Sequence, residues 1–238
     1  MIPKIIHYCW FGRGQMSELA QKCIASWHQY MPDYEYKLWN EDNFDVNQLP
    51  YTKEAYEARK YAFVSDHVRL WALEREGGIY MDVDFEVYKA FDDLLYLKAF
   101  AGFEGSKHLP LMMGVIASEA HGAWVKEQLQ YYMDRHFVDS NGKMDLTTNV
   151  AFVSEKMRNQ GFVQNGKEQD YKDLHVFPVE FFCPRQTTGE YFRTANTYCE
   201  SVGVSSWLEQ KGWKSWVANL IGTKHMPQII KLKRKLFG

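Results

Sequence analysis

The chain of 238 residues has no run approaching 18 apolar residues, so its sequence offers no candidate membrane-spanning helix. The opening MIPKIIHYCWFGRG lacks the basic n-region and small-residue cleavage site of a signal peptide, and the expectation is a cytoplasmic protein. Cysteines are few. Cys9, Cys23, Cys183 and Cys199 lie far apart and form no C-x-x-C pair, which fits reduced thiols and speaks against zinc. Internal repeats, low-complexity tracts and linkers are absent, and the scattered histidines form no ligand-spaced group. A net charge of −2 excludes a general nucleic-acid binder. What remains is ordinary for a globular protein, 46% hydrophobic and 24% charged. A chain this long buries about 70% of its unfolded surface and needs neither disulfide nor metal to fold.

Aromatic content is high, 16%, with 8 Trp, 15 Tyr and 15 Phe. Such density suits stacking on nucleobases and sugar rings, but composition alone favours a heavy aromatic core. Charge is unevenly spread. The last 15 residues, KHMPQIIKLKRKLFG, carry five basic and no acidic side chains.

Ile2 to Cys9 reads as a buried strand closed by Gly12 and Gly14. Ser17 is placed to cap a helix in which Leu19, Cys23, Trp27 and Tyr30 recur at helical spacing. Pro32-Asp33 breaks it, and Tyr34 to Trp39 alternates as a second strand, the beginning of an α/β sheet. Thr52 to Glu76 is helical in composition and apolar nearly all round after Tyr61, which predicts a buried helix. Gly77-Gly78 stops it. IYMDVDFEV then alternates as one strand, with Ile79, Met81, Val83, Phe85 and Val87 on one side and Tyr80, Asp82, Asp84 and Glu86 on the other. Further on, Ala99 to Phe103 and Leu111 to Ala117 read as strands and Gly122 to Phe137 as an amphipathic helix. Val153 to Gln160 reads as a helix, His175 to Val179 as a strand, Arg185 to Tyr198 as loop and Gln228 to Phe237 as a basic amphipathic helix.

Asp82 and Asp84 are the chemical centre. On a continuous strand their carboxylates would lie about 7 Å apart on one face. Such a pair repels unless a cation joins it or water screens it. Mg²⁺ is bound in this way, by one or two carboxylates plus substrate phosphates, and Mn²⁺ accepts the same oxygens. The alternative is an acidic strand face that merely meets solvent. Asp66 and Arg69, three apart on the preceding helix, read either as a structural ion pair or as a binder of sugar hydroxyls. Gly77-Gly78 alone separates that helix from the strand, so all four charges can converge on one cleft.

The run SDHVRLWALEREGGIYMDVD resembles the signature SD-x-x-R…L…GG-x-Y-x-D-x-D of family 32 glycosyltransferases. IPKIIHYCWFG, ASWHQYMPDYEYKLWNEDNF and EAYEARKYAFVSD resemble bacterial capsular members. The likeness is dense over residues 1–105 and thins afterwards, apart from Ser206-Trp207. It implies a GT-A fold, an α/β Rossmann-like mixed sheet flanked by helices, over residues 1–223, with 224–238 as a basic tail. It also implies a nucleotide-sugar donor, UDP-hexose in preference to GDP-mannose, with Mn²⁺ or Mg²⁺. By the same resemblance Trp10 would stack on the nucleobase, where a core aromatic is the alternative. Asp66 and Arg69 would hold the donor sugar. Tyr80 would line the nucleotide site, strand packing being the other reading. Asp82 would touch ribose or sugar and share the metal site, Asp84 would ligate the metal, and Ser205 and Trp207 would close over the diphosphate.

One departure stands out. Many capsular relatives carry a His pair before the Ser-Trp dipeptide, where this chain has Glu200-Ser201-Val202. Glu200, Ser201 and Ser205 are weak candidates for a third metal ligand, with diphosphate and water as the alternative. The resemblance implies a retaining transferase acting on a saccharide or lipid-linked saccharide acceptor in capsular or surface polysaccharide synthesis. No dependable carboxylate nucleophile is evident, which favours front-face attack, and Glu104 is a candidate on the acceptor side or a structural residue. A non-catalytic sugar- or nucleotide-binding module and a toxin-like protein glycosyltransferase are the competing readings. The tail residues Lys231, Lys233, Arg234 and Lys235, interleaved with Ile229, Ile230, Leu232 and Leu236, suit peripheral contact with an anionic membrane at its cytoplasmic face, or a solvated terminal helix.

Overall fold

A computed structural model describes residues 1–105, 110–185 and 191–203. Ser205, Trp207 and the basic 224–238 segment, with its expected helix, lie outside the described residues.

The first strand, β1 (Ile5–Cys9), feeds α1 (Glu18–Tyr30), whose N-terminus is capped by the Ser17 hydroxyl accepting the Ala20 N–H. The buried stripe of α1 is Ala20, Cys23 and Trp27, whereas Leu19 and Tyr30 lie at the exposed margins, so the expected face is rotated. β2 (Glu35–Trp39) then pairs parallel to β1. The 52–76 segment is two helices, α2 (Pro50–Glu57) and α3 (Tyr61–Glu76), broken where Arg59 takes a positive φ of 56°. α3 is buried on most of its circumference, as its composition predicts, but Asp66, His67 and Arg69 are buried with the apolar residues. The Gly77 N–H closes α3 onto the Leu73 carbonyl. At Gly78 a Cβ would stand 2.7 Å from the Ile5 carbonyl oxygen, so only glycine lets β3 (Gly78–Met81) approach β1.

His7 pins this corner. The Trp39 indole N–H can only donate, so His7 Nδ1 accepts from it at 3.1 Å, and His7 Nε2 donates to the Gly77 carbonyl at 2.8 Å.

The expected strand from Ile79 to Val87 is interrupted. β3 ends at Met81, the Phe85 N–H returns to the Asp82 carbonyl at 3.2 Å, and the chain turns through Val83 and Asp84. β4 (Phe85–Val87) leaves the main sheet and pairs antiparallel with β9 (Cys199–Ser201) as a separate ribbon. The reason is burial. Every residue of β3 is buried, and an Asp-x-Asp continuing between two apolar layers would carry charge into them.

β5 (Ala99–Phe103), β6 (Leu111–Ser118), β7 (Gln169–Tyr171) and β8 (Leu174–Phe177) complete a seven-stranded sheet of order β2-β1-β3-β6-β5-β8-β7. β6 runs antiparallel to β3 and β5, β8 parallel to β5, and β7 antiparallel to β8, so the sheet is mixed. Helix α4 (Ala123–Leu129) ends eight residues short of the expected Phe137, in a 3₁₀ turn through Tyr132. α5 (Asn149–Asn159) starts earlier than expected, and α6 (Val179–Phe182) and β7 are additions.

Helices α3, α4 and α5 cover one face of the sheet over Phe103, Met113, Ile116 and Val176. On the other face Trp27 of α1 packs with Met81, Phe85, Phe100 and Phe182. Phe91, Phe100, Phe182 and Tyr198 stack there, ring on ring, and Tyr51, Tyr132, Phe63 and Phe137 fill the α3 side. Much of the aromatic content is core.

Candidate functional site

β1 and β3 run parallel side by side, and Trp10 and Asp82 follow directly at their carboxyl ends. A crevice outside the carboxyl ends of parallel strands is where open α/β sheets bind ligands. The expected site residues divide between a tightly bonded cluster here, a neighbouring pocket, and positions outside the described residues.

Arg69 centres the cluster. It is 5% exposed and donates to three acceptors: Asp66 Oδ1 at 2.8 Å, the Met113 carbonyl at 2.6 Å and the Ser65 carbonyl at 3.3 Å. Asp82 Oδ1 lies 3.4 Å from the same guanidinium and accepts the Tyr80 hydroxyl at 2.7 Å. The guanidinium also stacks 4.5 Å above the Tyr80 ring. Burial opposes the charge on Arg69, but Asp82, Tyr80 and Asp66 outweigh it and raise its pKa. Asp66 is 8% exposed; burial pushes its carboxyl up to about 6, against the pull of Arg69 and a hydrogen bond from the Asn149 N–H. Asp66 and Arg69 are thus an ion pair, and one joined to the Asp-x-Asp segment. Tyr80, 1% exposed, packs in the strand, and its hydroxyl donates to Asp82.

Asp82 and Asp84 do not share a strand face. They bracket the turn, Asp82 anchored by its N–H to the Gly114 carbonyl at 2.8 Å and Asp84 tied to β9, where the Ser201 hydroxyl donates to Asp84 Oδ2 at 3.1 Å. Burial pushes Asp84 up to about 6, with the charge of Asp82 adding to it. The two carboxylates on this turn offer the hard oxygen donors that Mn²⁺ and Mg²⁺ accept. Among the described residues no three His, Cys, Asp or Glu side chains group as a metal cage, so phosphate and water would complete the shell. Glu200 sits opposite Glu86 on the ribbon and accepts from Tyr88 at 2.7 Å and Arg185 at 3.0 Å. Of the weak third-ligand candidates, Ser201 alone contacts Asp84 among the described residues, and Ser205 lies outside them.

Trp10 is part of the neighbouring pocket of about 310 Å³ shared with Arg13, Asn40 and Asp42. Its indole N–H donates to the Gly14 carbonyl at 2.7 Å, which fixes the ring at the pocket wall rather than in the core.

Two glycines escaped the sequence reading. At Gly114 a Cβ would meet the Phe85 ring at 2.6 Å and Asp82 Oδ2 at 3.0 Å, and at Gly203 one would meet Asp84 Oδ2 at 2.3 Å. Glycine inside the apolar run LMMGVIAS signals close approach and was available as a clue. Gly203 had no local signal.

Residues 17–101 match the model described as a glycosyltransferase sugar-binding region containing a DXD motif. Inositol phosphoceramide mannosyltransferase 3 of Schizosaccharomyces pombe is 32% identical over 105 residues, 41% of this chain and 28% of that protein. A mannosyl phosphorylinositol ceramide synthase of Saccharomyces cerevisiae is 32% identical over 107 residues, 42% of this chain and 27% of its own length. The aligned region therefore spans little more than a quarter of either relative. Among solved structures, the PaToxG glycosyltransferase aligns over 54% of this chain and 59% of its own, with 23% identity and a TM-score of 0.46. The DXD motif of the matched sugar-binding region falls within residues 17–101 at Asp82-Val83-Asp84.

Proposed function

We propose that this chain is a retaining, metal-dependent glycosyltransferase that moves a hexose from a nucleotide sugar to a saccharide or lipid-linked saccharide acceptor in surface polysaccharide synthesis. The observation that carries the reading is the single bonded unit of Asp66, Arg69, Tyr80 and Asp82 at the strand ends, inside the segment that matches a sugar-binding family. In this reading Asp66 and the Arg69 fork hold donor-sugar hydroxyls, and Trp10 presents its ring to the base. Asp84, with Asp82, holds Mn²⁺ or Mg²⁺. A bound cation supplies charge neutralisation at the leaving diphosphate. The acceptor oxygen forms its bond to C1 on the face from which the phosphate oxygen departs, and the hydroxyl proton passes to that phosphate. Asp66 favours the positive charge that develops on the ring. UDP-hexose is the first donor to test, with GDP-mannose the second, and the yeast relatives' names support mannose. The basic 224–238 segment suits an acceptor held at the cytoplasmic face of an anionic membrane, and no helix among the described residues is long and apolar enough to cross one.

The test is donor consumption with UDP-glucose, UDP-galactose and GDP-mannose in Mn²⁺, with and without EDTA. Cleavage of one donor that EDTA abolishes is the expected result. Binding without consumption would instead make the chain a non-catalytic module, and turnover indifferent to EDTA would remove the metal.

A further inference from the structure

One carboxylate of the crevice has no task in the reaction above. Glu104 follows β5 directly, and its N–H donates to the Pro110 carbonyl at 2.9 Å, which fixes its backbone. Along β5, Ala99, Ala101 and Phe103 pack on the α3 side, whereas Phe100 packs on the α6 side and a Cβ at Gly102 would touch the Phe182 ring of α6 at 2.9 Å. Continued alternation puts Glu104 on the α6 side. The thiol of Cys183, which follows α6, agrees: it lies in the combined field of Glu104, Asp84 and Glu200. Glu104 therefore approaches the Asp-x-Asp segment from the face opposite Asp66 and Arg69.

Its side chain forms no hydrogen bond or ion pair with any described residue, and among the described residues the charge acting on its carboxyl is that of Asp82. Burial pushes this carboxyl up to about 7, with Asp82 adding to the effect. The residue is nevertheless partly open to solvent. A carboxylate that no described residue engages and that water still reaches is open to an incoming donor. What such a group offers is strong acceptance of a hydroxyl hydrogen.

We infer that Glu104 binds the acceptor: its carboxyl takes a hydrogen bond from a ring hydroxyl of the acceptor saccharide, across Asp82 from the donor sugar. This rests on the glycosyl-transfer reading above. The two sugars then enter from opposite faces of the sheet edge and meet at Asp82.

The experiment compares wild type with Glu104→Gln and Glu104→Ala. Three readouts are taken with Mn²⁺ and the donor that wild type consumes: donor hydrolysis by water, stimulation of donor consumption by methyl glucoside, galactoside or mannoside, and melting temperature. Hydrolysis is expected to stay within about twofold and the melting temperature to hold, because no described residue bonds this side chain. The KM for the stimulating hexoside is expected to rise roughly tenfold or more, the worth of one strong hydrogen bond. A merely structural Glu104 predicts the reverse, a lower melting temperature and an unchanged KM, and that result overturns the inference. So does wild-type consumption indifferent to every hexoside. Absence of any donor consumption by wild type is a separate outcome that sinks the transfer reading itself.

Discussion

Arg69→Lys keeps the charge and most of the length of the side chain but replaces a five-donor fork by a single ammonium. In the wild type the fork serves Asp66, the Met113 carbonyl and the Ser65 carbonyl, with Asp82 at 3.4 Å. One ammonium cannot reach the β6 carbonyl and both carboxylates together, so at least one buried acceptor loses its donor. Each such loss costs about 1–3 kcal/mol, and weakening a buried ion pair adds to it, for an expected destabilisation of about 2–5 kcal/mol. Urea denaturation at pH 7.5 measures this as a lower midpoint at unchanged slope. The penalty should shrink toward pH 5, because Asp66, pushed up to about 6, then takes a proton and asks less of its partner. Under conditions where the variant is folded, donor consumption should fall at least tenfold, since bidentate geometry is what lysine lacks. A loss below about 1 kcal/mol with full turnover would show that a point charge suffices, and the reasoning from the fork would be wrong.

Asp84→Asn should abolish donor turnover and leave the melting temperature at pH 8 unchanged or higher, because the amide replaces a carboxyl whose charge the fold disfavours; residual metal-dependent turnover would contradict this. Gly203→Ala forces a methyl into the space of Asp84 Oδ2 and should raise the Mn²⁺ concentration needed for half-maximal turnover by roughly tenfold or more, with circular dichroism unchanged; an unaltered Mn²⁺ titration refutes the contact. His67, 2% exposed, has no hydrogen-bond partner on either ring nitrogen among the described residues, and burial lowers it to about 4. Its neutral form is the one that folds, so its contribution is complete above pH 6.5 and is lost as pH falls toward 4. Wild type should lose about 3 kcal/mol more than His67→Leu between pH 7.5 and 4, and parallel stability curves would exclude the effect.

Legibility followed locality. Ser17, Pro32 and Gly77 announce their turns through neighbouring residues, and the Asp66–Arg69 spacing of three needs only helical geometry to become a pair. The turn after β3 was hidden because IYMDVDFEV alternates whether or not the chain changes sheets. Val87 and Phe85 are buried in the ribbon as they would have been in a continued strand. The break at Arg59 was hidden likewise, since helix formers stand on both sides of it and only a positive φ separates α2 from α3. β7 and β9, three residues each and largely polar or mixed, fall below what periodicity can resolve. The contacts of Asp84 with Ser201 and Gly203 join positions more than a hundred residues apart, which no window along the chain reveals.

The crevice is built from groups that folding alone would not collect. Asp66 and Asp84 are both carried to about 6 by burial, and Glu104 to about 7, with one buried arginine among them. Apolar side chains of equal volume would pack these positions at lower cost. The backbone makes matching concessions: β3 leaves its sheet after four residues, and Gly114 and Gly203 stand where any side chain would strike Phe85, Asp82 or Asp84. Such conflicts between local stability and the arrangement adopted are expected where a surface is shaped for a ligand. Their distribution is informative. The ion-paired Asp66 lies on the α3 side and Glu104, which has no partner among the described residues, on the α6 side, with the Asp-x-Asp turn between them. That division is what a site must have if it holds one sugar rigidly by its hydroxyls and admits a second from the other direction.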